Sequence, residues 1–219
     1  MESLALGAAG VVVLGGVAAY VFSKPMDPTA VQIQTSTQSG KVPYSSTLSL
    51  PRSFNQAEGA TFSFEGWFEV NDFTYGYGKR RLIFTHGDCP GLYLDSTSNS
   101  ILVVVNTYGA SESILVSNIP AQKWIHFAVV VTQYTADIYI NGILRQHHTL
   151  TQLPKQVDEA VQIGSELRGF DGQVGGVTYY SRSLSPTEVS VHAASVPPAS
   201  LIKEPSSGQY LDLSWYTGR

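Results

Sequence analysis

Between Thr47 and about Tyr180, apolar residues return at every second position in short bursts, separated by polar, glycine or proline punctuation. Over Thr61–Val70, Phe62, Phe64, Phe68 and Val70 share one face with Gly66 between them. Ser63, Glu65, Trp67 and Glu69 share the other. This is the period-2 pattern of a half-buried strand. Leu48 and Leu50 alternate with Ser49, and further bursts at Arg81–Thr85, Gly91–Asp95, Ile101–Asn106, Ile114–Val116, Trp124–Thr132, Val161–Gly164 and Gln173–Tyr180 predict strands. Asp137–Asn141 and Gly142–Gln146 read as a hairpin through Asn141-Gly142, a pair that supplies the positive φ values of a tight type I′ turn. Many short strands at about 8–12-residue spacing predict a sandwich, not an α/β fold. One short helix opens at Ser185-Pro186-Thr187-Glu188, a capping box with proline at the first helical position, and runs to about Ala194 before Val196-Pro197-Pro198 ends it.

A different pattern occupies the N-terminus. Leu4 to Phe22 is an unbroken apolar run without charge or proline. As a helix it rises about 28 Å, close to the hydrocarbon thickness of a bilayer. Leu4, Leu6, Val11, Val12, Val13, Leu14, Val17, Tyr20, Val21 and Phe22 would face lipid in a single-pass transmembrane anchor spanning 1–23. A secretory signal peptide fits less well, because Met-Glu-Ser precedes the run with no Lys or Arg. A buried soluble helix fits less well too, because Gly7, Gly10, Gly15 and Gly16 make a poor helix in water. The small-xxx-small pairs Gly15/Ala19 and Ala5/Ala9 hint at a helical partner in the membrane.

Composition narrows the class. The formal net charge is −4 and charged residues are only 14% of the chain, which argues against nucleic-acid binding. Cys89 is the single cysteine, so no intramolecular disulfide can form, and no asparagine stands in an Asn-x-Ser/Thr sequon. A β-domain with neither disulfide nor glycan suits a reducing, cytosol-like compartment. Lys24 is the first charge after the apolar run, which by the positive-inside rule puts the C-terminal domain on the cytoplasmic side. Residues 24–46, with Pro25, Pro28 and Pro43 and the run QIQTSTQSG, read as a stalk in which Val31 and Ile33 could make a short edge strand. The sandwich is expected over 47–195 and a C-terminal arm over 196–219, with Gln209–Tyr216 as a last strand or an arm on a neighbour.

Four segments together carry a family resemblance. They are FSFEGWFEV at Phe62–Val70, RRLIFTHGDCPGLYLDSTSNSILVVV at Arg80–Val105, KWIHFAVVVTQYTADIYINGIL at Lys123–Leu144, and VQIGSELRGFDGQVGGVTYYSRSLSPTEV at Val161–Val189. In this order and spacing the chain resembles the laminin G-like branch of the concanavalin A-like sandwiches over roughly 45–192. The resemblance implies a mainly β fold of two antiparallel sheets in jelly-roll topology, about twelve strands in all.

Candidate chemistry is sparse. The fold family includes glucanases, but Glu65 and Glu69 lie about 13 Å apart along one strand, beyond the roughly 5–9.5 Å that two-carboxylate hydrolysis needs. A solvated strand face is the expectation for them. Calcium binding is implied by the resemblance only weakly: Asp88, Asp95, Asn99, Asp137 and Asp171 stand near loops but form no acidic cluster. No other metal or cofactor is expected. His126 lies within a predicted strand as a packed residue, and the adjacent His147 and His148 point to opposite faces. Cys89, in His-Gly-Asp-Cys-Pro-Gly, reads as a plain loop cysteine despite His86 nearby. Lys79-Arg80-Arg81 reads as a solvated basic run, with anionic lipid headgroups as a minor alternative. Tyr75, Tyr77 and Tyr108 sit in glycine-containing loops and are candidate contacts for a protein partner or a glycan.

These features together predict a non-enzymatic, membrane-anchored structural protein that docks on other proteins. The sharper expectation is a minor capsid protein of a large DNA virus, linking an internal viral membrane to neighbouring capsid components. The grounds are the reducing-compartment chemistry, the anchor, and arms on both sides of the sandwich. The rival expectation is a carbohydrate-binding or adhesion module on a cell surface.

Overall fold

A computed structural model describes residues 27–53, 56–57 and 59–198. The anchor residues Leu4–Phe22 and the tail segment Gln209–Tyr216 lie outside the described residues. Residues 27–30 form a turn in which the Asp27 carboxylate accepts hydrogen bonds from the Thr29 backbone N–H and hydroxyl at 2.8 and 2.6 Å. Among the described residues, no helix is long and apolar enough to cross a membrane.

From Val31 onward the chain forms two six-stranded sheets and one helix. The strands are β1 (Ala30–Ser39), β2 (Tyr44–Ser45), β3 (Phe62–Asp72), β4 (Arg81–Thr85), β5 (Gly91–Leu94), β6 (Ile101–Val105), β7 (Glu112–Val116), β8 (Trp124–Val131), β9 (Thr135–Ile140), β10 (Ile143–Thr149), β11 (Gln162–Ile163) and β12 (Asp171–Tyr180); helix α1 is Pro186–Ala193. One sheet has the order β1-β12-β3-β8-β9-β10 and the other β2-β11-β4-β5-β6-β7. The pairs β3–β8, β8–β9, β4–β5, β5–β6 and β6–β7 are antiparallel, as the jelly-roll expectation requires. The segment expected to be a stalk instead carries β1 and β2, so the sandwich begins well before Thr47. The physical reason is that Ile33 is buried in the core and Val31 packs against it.

The period-2 pattern of β3 decides what the core contains. Phe62, Phe64, Phe68 and Val70 are buried between the sheets, facing Phe84, Leu92, Ile101 and Val103 of the second sheet. Phe64 lies 5.5 Å from Phe84, and Phe84 stacks on Phe127 at 5.3 Å, joining the two layers. Burying side chains of this size contributes roughly 1.5–3 kcal/mol each before entropy is counted. Glycine is required where β3 meets the start of β12. A Cβ on Gly172 would lie 2.0 Å from the Glu69 carbonyl oxygen and 2.5 Å from the Phe170 ring. The Asn141-Gly142 turn adopts φ values of 50° and 77°, as the hairpin sequence demands.

Helix α1 is closed at its start by the predicted capping box. Ser185 Oγ accepts from the Glu188 backbone N–H, and the Glu188 carboxylate accepts from the Ser185 N–H at 2.8 Å. Leu184 and Val189 are buried, sealing the helix onto the outer face of the first sheet, where it packs against β8 and β10.

Candidate binding surface at one end of the sandwich

Strand direction sorts the loops into two groups. Loops 46–61, 86–90, 106–111, 132–134 and 150–161 gather at one end; loops 40–43, 73–80, 95–100 and 164–170 gather at the other. The three candidate tyrosines therefore do not form one site. Tyr108 stands at the first end, and Tyr75 and Tyr77 at the second.

At the first end, two open clefts lie along the 150–161 loop. One of about 380 Å³ is lined by Ser46–Leu50, His86 and Val157–Ala160. The other, about 320 Å³, is lined by Arg52, Ala60, Tyr108, Gln133, Leu153, Pro154 and Gln156. Backbone hydrogen bonds hold this geometry: the Tyr108 N–H donates to the Leu153 carbonyl at 2.9 Å, and the Asn106 N–H to the Asp88 carbonyl at 2.7 Å. The Asn106 side-chain amide donates to the Gly87 carbonyl at 2.9 Å, tying the 86–90 loop to the 106–111 loop. Tyr108 is 72% exposed, so its ring face is free for stacking. Arg52 pairs with Asp158 at 2.6 Å, but both side chains are exposed, and such pairs contribute little stability. An exposed ring beside amide donors and a guanidinium suits a hydroxyl-rich ligand or the polar rim of a protein.

Two groups behind these clefts are held inert. Burial pushes the Cys89 thiol up to about 12, so no thiolate nucleophile is available there. Burial also lowers the His86 pKa below its ordinary value, and a hydrogen bond to the Glu159 backbone opposes this only in part. The plain-cysteine expectation agrees with this environment.

The structure departs from the sequence reading on the outer face of β3. Glu65 was expected on a solvated face, yet it is only 7% exposed and Ser63 is fully buried. Helix α1 and β12 cover them. One Glu65 carboxylate oxygen accepts from the Tyr180 hydroxyl at 2.7 Å, and the other contacts His192 Nδ1 at 2.9 Å and lies 3.7 Å from His126 Nε2. The hydrogen bond to Glu65 raises the His192 pKa. Burial pushes His126 down to about 4, and its Nδ1 has no hydrogen-bond partner. The capping box signalled the helix, but nothing in the pattern of β3 signalled that the helix would fold back over it.

Arg81 departs in the same way. The basic run was expected to be solvated, but Arg81 is 1% exposed. Its guanidinium donates to the carbonyls of Phe73, Tyr75 and Asp95, pinning the 73–80 loop. Lys79 and Arg80 remain exposed.

The weak calcium candidates are distributed, not gathered. Asp88 accepts from Thr85 and Tyr93, Asp95 caps Thr97 and Ser98, Asp137 pairs with His147, and Asp171 pairs with Lys41. Asn99 accepts the Ile119 N–H through its backbone carbonyl. Among the described residues, no three His, Cys, Asp or Glu side chains converge to hold a metal ion.

The two twisted layers with loop clefts at one end define a lectin-type jelly-roll sandwich. The chain belongs to the concanavalin A-like lectin/glucanases superfamily, whose model matches residues 42–190. A comparison with curated proteins finds no match. Among solved structures, the binding domain of Paraclostridial Mosquitocidal Protein 1 is similar at 13% identity and TM-score 0.57, over 77% of this chain and 46% of that one. The botulinum neurotoxin serotype D ligand-binding domain in complex with N-acetylneuraminic acid is similar at 13% identity and TM-score 0.54, over 76% and 50%. The serotype D binding domain gives 12% identity and TM-score 0.55, over 75% and 41%. The chain thus spans half or less of these proteins' length, and at such identities the likeness is one of fold.

Proposed function

We propose that this protein is a non-catalytic interaction module tethered to a membrane by Leu4–Phe22. Its role on this reading is that of a minor capsid protein, linking an internal viral membrane to a protein shell through its sandwich. The observation that carries the non-catalytic part is the fate of Glu65. It belongs to the one same-face carboxylate pair that the glucanase comparison singled out, and Tyr180 and His192 enclose it under a helix. A carboxylate so engaged cannot reach a glycosidic bond. The tethering part rests on the apolar run, and the capsid part on the absence of disulfide and sequon. Mass spectrometry of gradient-purified virus particles, followed by carbonate extraction, tests it. The chain is expected in the particles and in the membrane pellet; its absence from the particles overturns the capsid role.

A second reading is favoured by one feature, the exposed Tyr108 over the Arg52/Gln133/Gln156 cleft. A ring with surrounding donors suits a glycan, and one similar fold is a ligand-binding domain in complex with N-acetylneuraminic acid. On a glycan array this reading expects reproducible signals that Tyr108→Ala abolishes. A blank array leaves the protein-docking reading in place.

A further inference from the structure

We infer that the opposite end of the sandwich, carrying Val42, Tyr77 and Leu167, is a docking surface for an anionic lipid bilayer. Three separate loops repeat one couplet: an exposed apolar tip with a cation one to three residues away. Val42 (54% exposed) adjoins Lys41, Tyr77 (64%) precedes Lys79 and Arg80, and Leu167 (90%) adjoins Arg168. A tip as exposed as Leu167 gains nothing from its own fold, and three protruding tips fit a fluid, deformable surface better than a preformed pocket. Tyrosine and leucine favour the headgroup–acyl boundary, and Lys and Arg at their base match anionic headgroups.

The loops are pre-organised. Arg81 ties Phe73, Tyr75 and Asp95 together from beneath. The Gly78 N–H donates to the Ser96 carbonyl at 2.8 Å, and the Leu82 N–H to the Arg168 carbonyl. Lys41 Nζ sits 4.4 Å from the centre of the Tyr75 ring and pairs with Asp171 at 2.9 Å. Docking such loops costs little ordering entropy.

The charge balance at this end favours anions. Asp72 is satisfied by Thr74, Asp95 by Thr97 and Ser98, and Asp171 by Lys41. Lys79, Arg80 and Arg168 have no acidic partner within salt-bridge distance, and Glu166 is the exposed acid beside them. Arg80 lies over the Tyr93 ring at 5.4 Å, which leaves its outer edge open.

This surface shares a bilayer with the proposed anchor but does not depend on the anchor spanning it, and one experiment separates the two. Full-length Leu167→Cys protein is labelled with an environment-sensitive thiol dye and reconstituted into vesicles. Cys89, buried and with its pKa pushed up to about 12, stays unlabelled. In phosphatidylcholine vesicles containing phosphatidylserine the dye emission should shift to the blue; in pure phosphatidylcholine it should not. Each surface cation contributes about fivefold to association with an anionic membrane, so Lys79→Ala/Arg80→Ala/Arg168→Ala should lower the docked fraction on the order of 100-fold. A Tyr77→Cys label should report the same shift. No shift in anionic vesicles, or an equal shift in both, overturns the docking surface. Failure of the anchor reads out separately, as release of the chain by carbonate.

Discussion

His126 should make this sandwich acid-labile, and its replacement should remove a defined part of that lability. The side chain is 1% exposed, lies 5.0 Å from the Trp67 ring and 3.7 Å from Glu65, and burial pushes its pKa to about 4 from an ordinary 6.5. Because the folded value is depressed, the unfolded chain binds the proton first. Stability is therefore full above about pH 6.5 and falls as the pH drops towards 4. Between about pH 7.5 and 4.5 the loss from this residue is about 2.5 kcal/mol, from about 1.4 kcal/mol per unit of pKa difference. His192 works with the opposite sign. Its folded pKa is raised, so its contribution is complete below the ordinary 6.5 and is lost as the pH rises through the folded value. It adds no slope in the acid window. His86 is also depressed and adds loss of the same sign, but it is present in both proteins compared. Urea unfolding of wild type and His126→Gln, followed by Trp fluorescence at several pH values, measures the difference. The His126→Gln protein should lose about 2.5 kcal/mol less over that window. Parallel pH profiles would refute a buried neutral His126.

Three further outcomes follow from the packing. Arg81→Met should cost about 3–5 kcal/mol, because three carbonyls lose charge-assisted donors, and hydrogen exchange across 73–80 should rise. Gly172→Ala places a Cβ 2.0 Å from the Glu69 carbonyl and should lower Tm sharply; an unchanged Tm would contradict the strand approach described. Ser185→Ala removes one half of the capping box and should cost about 1 kcal/mol by equilibrium unfolding, with the Glu188 carboxylate, held down to about 2 chiefly by Arg182, keeping the other half.

The hydrophobic pattern made most of the fold legible. Each burst of alternation between Thr61 and Tyr180 corresponds to a strand, because period-2 burial is a local property of an extended chain. The Asn141-Gly142 turn and the Ser185–Glu188 box were equally local, since each needs specific backbone angles or a side chain three residues away. The limits appear at Gln32–Ser39, where polar residues alternate only weakly. Ile33 is buried only because β1 lies beside β12 at the edge of the sheet, and that neighbour is remote in sequence.

Candidate sites were far less legible. Sequence pattern could pick out Tyr75, Tyr77 and Tyr108 as loop aromatics, but the direction of the strands divides them between the two ends of the sandwich. It could count Glu65 and Arg81 as charged residues, but not foresee their burial. Glu65 is enclosed by partners 115 and 127 residues away, Tyr180 and His192, and Arg81 by carbonyls that two loops bring to it. The sequence by itself determined the all-β class, the hairpin, the helix cap and an apolar N-terminal run of membrane length. Only the tertiary structure decided which polar residues lie inside and which loops share a surface. Alternation assigns a side chain to a face of its own strand, whereas whether that face meets water depends on what long-range packing lays across it.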